Sequence, residues 1–138
     1  MPGRVVIDAG PLVALFDGND QHHPPAMRFI QTLRDELVSN LAVVTETAYL
    51  LSFSLKAQTD FLTWVRDGAL TLVETELADF ERIIELMQKY ADRPMDFTDA
   101  SLVTLCERLG VRDVASVDRD FTIYRYRNRE TFRNRFIE

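Results

Sequence analysis

Two short apolar runs that each stop at an aspartate constrain this chain most. Val5, Val6 and Ile7 stand together and are followed by Asp8, and Val114, Ala115, Ser116 and Val117 are followed by Asp118. A run without polar alternation predicts a strand covered on both faces, the habit of parallel sheets flanked by helices. Ligands of open α/β sheets bind beyond the carboxyl ends of the strands, so both aspartates are expected at the ligand-binding edge.

Between these runs, helix and strand signals alternate. Ala9, Gly10 and Pro11 predict a turn, Leu12 to Phe16 a short apolar turn of helix, and Asp17 to Pro25 a surface loop holding His22 and His23. Adjacent side chains diverge on either a helix or a strand and no other His exists, so a loop is expected there in place of a metal pair. Periodicity predicts helices over 26–36, 41–55, 57–67 and 77–91, with short strands at 37–39 and 70–73. The helix over 77–91 should be the longest amphipathic one, with Glu76, Asp79, Glu81 and Glu85 along a solvated side. Together these elements predict an α/β fold with a central, mostly parallel sheet and helices on both faces. With 138 residues, 46% of them hydrophobic, one domain spanning 1–138 is expected, burying about two-thirds of its unfolded surface. The opening residues lack the apolar core of a signal peptide and no later run approaches membrane-spanning length, so a cytoplasmic protein is expected. Cys106 falls among apolar neighbours in a predicted helix and reads as core.

The acids are grouped. Asp96 and Asp99 precede an apolar run at helical spacing, Leu102, Val103, Cys106 and Leu109, with Thr98 at the expected cap and Gly110 ending the helix. In LAVVTETAYLLSFSL almost every position is apolar or small, predicting a largely buried helix, yet Glu46 sits within it. A lone buried carboxylate is costly unless protonated, paired or bound to metal, and no basic residue precedes Lys56 in that helix. The alternative is an exposed first turn capped by Thr45. Asp8, Glu46, Asp99 and Asp118 can then reach one crevice. Carboxylates without Cys or His partners select a hard cation, Mg²⁺ or Mn²⁺. Such ions promote phosphodiester hydrolysis by water, with no Ser, Cys or His nucleophile required.

Charge is unevenly spread. The chain carries −6 overall, but residues 119–138 hold six Arg against Asp120, Glu130 and Glu138, a local +3. Arg119, Arg125, Arg127 and Arg129 are therefore candidate phosphate contacts, with a merely solvated edge as the equal alternative. One edge strand is expected around Ile123, Tyr124 and Tyr126. The aromatics between the arginines suit base stacking, or, more commonly, packing with the Arg heads outward.

VVIDAGPLVALFD at 5–17, TETAYLL at 45–51, MDFTDASLVTLCERLG at 95–110 and VASVDRDFTIYR at 114–125 together resemble a PIN domain. The chain is similar in particular to the VapC-type ribonuclease toxins of VapBC toxin–antitoxin pairs. The resemblance implies a three-layer α/β/α fold, a homodimer, Mg²⁺-dependent RNA cleavage and a small antitoxin partner. It assigns the family's four acids to Asp8, Glu46, Asp99 and Asp118. Asp96 and Asp120 could bind metal through water or cap the adjoining turns. Many toxin-like members carry Thr just before the last cluster, where this chain has Ser116 and Val117. An aspartyl phosphatase would need a second Asp where Gly10 stands, and a phospho-acceptor domain a lysine beyond Lys89. A non-catalytic RNA-binding or regulatory module of the same fold, or a solitary housekeeping nuclease, remains the competing reading.

Overall fold

The structure, a computed structural model, describes residues 3–93 and 95–137. Met1, Pro2, Pro94 and Glu138 lie outside the described residues, and with them the start of the opening stretch and one acid of the basic tail. The order is β1 (Arg4–Ile7), α1 (Ala9–Phe16), α2 (His23–Thr32), β2 (Glu36–Ser39), α3 (Leu41–Leu50), α4 (Leu55–Arg66), β3 (Thr71–Leu72), α5 (Asp79–Lys89) and α6 (Phe97–Leu109). Then come β4 (Asp113–Ala115), a 3-10 turn (Arg119–Thr122), β5 (Arg125–Tyr126), β6 (Glu130–Thr131) and β7 (Arg133–Asn134).

Among the described residues, five strands form one parallel sheet in the order β3, β2, β1, β4, β7. The chain builds outward from β1 to β3, then crosses back to lay β4 on the other side of β1. That reversal makes the gap beyond β1 and β4 a topological switch point, where a crevice opens between diverging connections. Val5, Val6, Ile7, Val114 and Ala115 are all buried in the contiguous core, as their unbroken apolar character requires. On the flanks α1 packs against α2, α3 and α4, and α6 against α5. Cys106 is fully buried, and burial pushes its thiol pKa up.

Several expectations are corrected. Asp8 itself caps α1, so Gly10 and Pro11 lie in a helical turn. Gly10 is required there because a Cβ would overlap the Val117 side chain. The loop ends before His23, which starts α2 with Pro24 and Pro25 in its first turn, where prolines lack no needed donor. The His23 ring Nδ1 lies 2.7 Å from the Ala14 carbonyl. The helix expected over 41–55 breaks at Leu51, and Ser54 caps α4. It is not largely buried either, for Leu41, Tyr49, Leu50, Phe53 and Leu55 are exposed. With 13 residues, α6 is longer than the 11-residue α5. Asp79 is not simply solvated, because it pairs with Arg108 at 2.7 Å. Asp96, not Thr98, caps α6, accepting from the Asp99 amide at 2.9 Å. Gly110 ends the helix as expected, in the left-handed conformation. Residues 125–131 form a separate hairpin, β5 with β6, and the strand on the sheet edge is β7.

Candidate active site

Each acid is placed by a backbone feature of its own. Asp8 follows β1, and its Oδ1 accepts from the Ala9 amide at 2.8 Å. Asp118 lies just past β4, where its Oδ1 accepts from the Asp120 amide at 2.9 Å. Asp96 and Asp99 occupy the start of α6, and Glu46 stands in the second turn of α3, which Asn40 caps through the Val43 amide. Glu46 is therefore half-buried inside the helix and not in a Thr45-capped first turn. Asp8 and Asp99 are each only 8% exposed. Capping fixes one oxygen of Asp8, Asp96 and Asp118 against an amide, which sets the direction of the other.

The acids feel one another. Burial raises the proton affinity of Asp8, and the charges of Asp118 and Asp96 add to the rise. Glu46 is raised by burial and then by Asp8 and Asp96. Asp99 is pushed up to about 8, first by burial and then by Asp96, Asp8 and Asp118. Asp120 is raised by burial and then by Asp118, with the Arg93 charge opposing. Asp8, Glu46, Asp96, Asp99 and Asp118 therefore stand near enough to one another for their like charges to be felt. Among the described residues, however, no group of three or more His, Cys, Asp or Glu side chains is arranged to hold a metal ion. An all-oxygen set of this kind suits a hard cation that is held through one or two carboxylates and keeps several of its waters.

Three supporting residues were not singled out from sequence as parts of the site. Ser116 is fully buried; its hydroxyl lies 3.2 Å from Asp8 Oδ2 and accepts from the Asp118 amide at 2.9 Å. Tyr124, expected on an edge strand, is instead fully buried and aims its hydroxyl at Asp99 Oδ2, 3.4 Å away. Burial and the neighbouring carboxylates push the Tyr124 pKa up, so it stays a neutral donor. Asn134 bonds Ser116 from β7 through both ends of its amide. A sequence signal existed for Ser116, two residues before Asp118, but none for Asn134 or Tyr124.

The arginines divide. Arg119 adjoins Asp118 and is exposed. Arg125 turns inward, its guanidinium donating to the carbonyls of Thr122, Ile123 and Tyr124. Arg127, in the left-handed conformation, is held by Glu107, which accepts from its amide at 2.7 Å, and its guanidinium lies over the Tyr126 ring. Glu107 is eight residues beyond Asp99 on α6, roughly 12 Å along the axis. Arg129 sits on the same hairpin and is exposed.

Fold and site together define a parallel α/β domain with an acid-lined switch point, and the PIN domain family model matches residues 5–126, so the chain belongs to the PIN domain family. Within that family it is similar to Ribonuclease VapC26 of Mycobacterium tuberculosis, 29% identical over 117 residues that cover 83% of this chain and 87% of the relative. The fold is also that of the crystal structure of Mycobacterium tuberculosis VapC20, described as a sarcin–ricin loop cleaving toxin. There the TM-score is 0.80 at 19% identity, covering 86% of this chain and 93% of the other.

Proposed function

We propose that this chain is a divalent-metal-dependent endoribonuclease and the toxin of a toxin–antitoxin pair. The observation that carries the reading is a group of carboxylates of which Asp8 and Asp99 are only 8% exposed, Asp8 meeting Ser116 and Asp99 meeting Tyr124; burial and then neighbouring acids raise the proton affinity of Asp8, Glu46 and Asp99. Such a set is costly unless a cation neutralises it in use. Asp8, Glu46, Asp99 and Asp118 would hold Mg²⁺ or Mn²⁺, with Asp96 and Asp120 contributing through water. Such a cation supplies an activated water and offsets charge on the phosphodiester. The chain's own part is orientation: Ser116 fixes Asp8 and Asp118, Tyr124 donates to Asp99, and the crevice keeps both aspartates largely from bulk water.

Arg119 is the best placed of the proposed phosphate contacts, next to Asp118. Arg125, Arg127 and Arg129 belong to the same basic segment, and the first two also hold the hairpin. A second copy of the chain, a small antitoxin, a cytoplasmic setting and a single domain spanning 1–138 complete the proposal. The exposed Tyr49, Leu50, Phe53 and Leu55 where α3 meets α4 support a protein partner. No helix among the described residues is long and apolar enough to cross a membrane.

That no group of three or more acids, His or Cys among the described residues is arranged to hold a metal ion favours one second reading, a non-catalytic RNA-binding module. Incubation of the full chain with structured and unstructured RNA separates the two. Cleavage that requires Mg²⁺ or Mn²⁺, stops in excess chelator and is lost in Asp8→Asn supports the nuclease. RNA binding without cleavage under any divalent metal supports the module.

A further inference from the structure

We infer that Asn134 is a positioning residue of the active centre: it clamps Ser116 so that one hydroxyl can orient both Asp8 and Asp118. The inference rests on the ribonuclease reading above. The main-chain ladder between β4 and β7 is short, with the Arg133 amide donating to Arg112 O at 2.9 Å and the Arg135 amide to Val114 O at 2.7 Å. Beyond Val114 the Asn134 side chain takes over the pairing. Its Oδ1 accepts from the Ser116 amide at 3.2 Å, and its Nδ2 donates to the Ser116 carbonyl at 2.9 Å. The same Oδ1 accepts from the Phe136 amide at 3.1 Å. Two N–H donors facing one end and a carbonyl facing the other set the orientation of the amide.

Ser116 then passes this constraint to the acids. Its hydroxyl lies 3.2 Å from Asp8 Oδ2 and accepts from the Asp118 amide at 2.9 Å. Asn134 is thus one residue removed from the Asp8 carboxylate and from the Asp118 backbone amide, touching neither acid. Groups behind the ligands fix ligand geometry, and losing one typically costs about 10 to 100-fold in metal affinity or activity. Residue 134 also lies past residue 126, where the family match ends. The support therefore comes from a C-terminal segment beyond the matched residues, whose arginines had suggested phosphate contact or a solvated edge.

The test uses the full chain as wild type, Asn134→Ala, Asn134→Asp, Ser116→Ala and the double variant Asn134→Ala/Ser116→Ala. Amide hydrogen exchange, read without metal or RNA, should quicken about tenfold or more at Ser116 and Asp118 in Asn134→Ala, while Val6 and Ile7 in β1 keep wild-type rates. Asn134→Asp retains the accepting oxygen, so it should protect the Ser116 amide better than Ala does. With RNA and saturating Mg²⁺, Asn134→Ala should lower kcat about tenfold with little change in KM. The double variant should be no slower than Ser116→Ala, since both act through one hydroxyl. Unchanged exchange at Ser116 and Asp118, or losses in the double variant that multiply, overturns the inference. If the wild type cleaves no RNA, the ribonuclease reading has failed, and the exchange rates alone still decide whether Asn134 holds the acids in place.

Discussion

The acid crevice and the arginine-rich C-terminal segment are both clusters of like charge, and they are treated oppositely. Most of the arginines are matched one by one: Arg125 with three carbonyls, Arg127 with Glu107, Arg133 with Asp113, and Arg135 with Asp35 and Asp113. Among the described residues, Asp8, Glu46, Asp96, Asp99 and Asp118 form no ion pair. Burial first, and then neighbouring acids, raise the pKa of Asp8, Glu46 and Asp99, with Ser116 and the Ala9 amide as hydrogen-bond donors to Asp8 and Tyr124 as donor to Asp99. Charges held by specific partners are spent on the scaffold, whereas grouped, partly desolvated carboxylates are the ones the proposal above gives to a cation.

Substitutions sharpen the contrast. The largest effect is expected from Asp8→Asn or Asp118→Asn, each lowering the cleavage rate by at least about a hundredfold in a steady-state RNA assay, because a ligand lost should cost no less than a group behind it. Either variant cleaving at the wild-type rate would remove that acid from the site. Arg135→Ala should act on stability, lowering unfolding free energy by roughly 1 kcal/mol in urea titration, since it joins two partly buried carboxylates. No loss of stability would break the assignment of that arginine to the scaffold. Arg119→Ala and Arg129→Ala should change stability least, by under about 0.5 kcal/mol. Each should also flatten the slope of log affinity against log salt for RNA by about one. A steep unchanged slope in both would take this segment off the RNA surface.

What could be read from sequence follows from which signals are local. The strands β1 and β4 were legible because burial on both faces removes all polar alternation, and the same runs located Asp8 and Asp118. Glu46 stood out because an acid in an apolar helix needs an explanation. The break at Leu51 was hidden, since periodicity continues across it and the Ser54 cap looks like any small residue. Leu41, Tyr49, Phe53 and Leu55 misled for a related reason: apolar character does not distinguish a core face from an exposed one. Tyr124 and Asn134 were illegible as site residues. Their roles depend on contacts with Asp99 and Ser116, 25 and 18 residues away, which no spacing rule anticipates.

The central claim is that burial and mutual charge make the ionised acids costly until a cation enters, and thermal unfolding of wild type and Asp99→Asn across pH, with and without Mg²⁺, tests it most directly. In the folded chain Asp99 keeps its proton up to about 8, against an ordinary value of 3.8. Between those values the folded state binds more protons than the unfolded one, so without metal the wild-type melting temperature should fall as pH rises from 5 to 8.5. Mg²⁺ binds only the folded site and should reverse most of that fall, by an amount that grows with pH as protons cease to compete. Asp99→Asn should melt at or above the wild-type temperature at pH 8 without metal and gain less from Mg²⁺. A metal-free variant less stable than wild type at pH 8, with an undiminished Mg²⁺ shift, would contradict the claim and leave Asp99 as part of the scaffold.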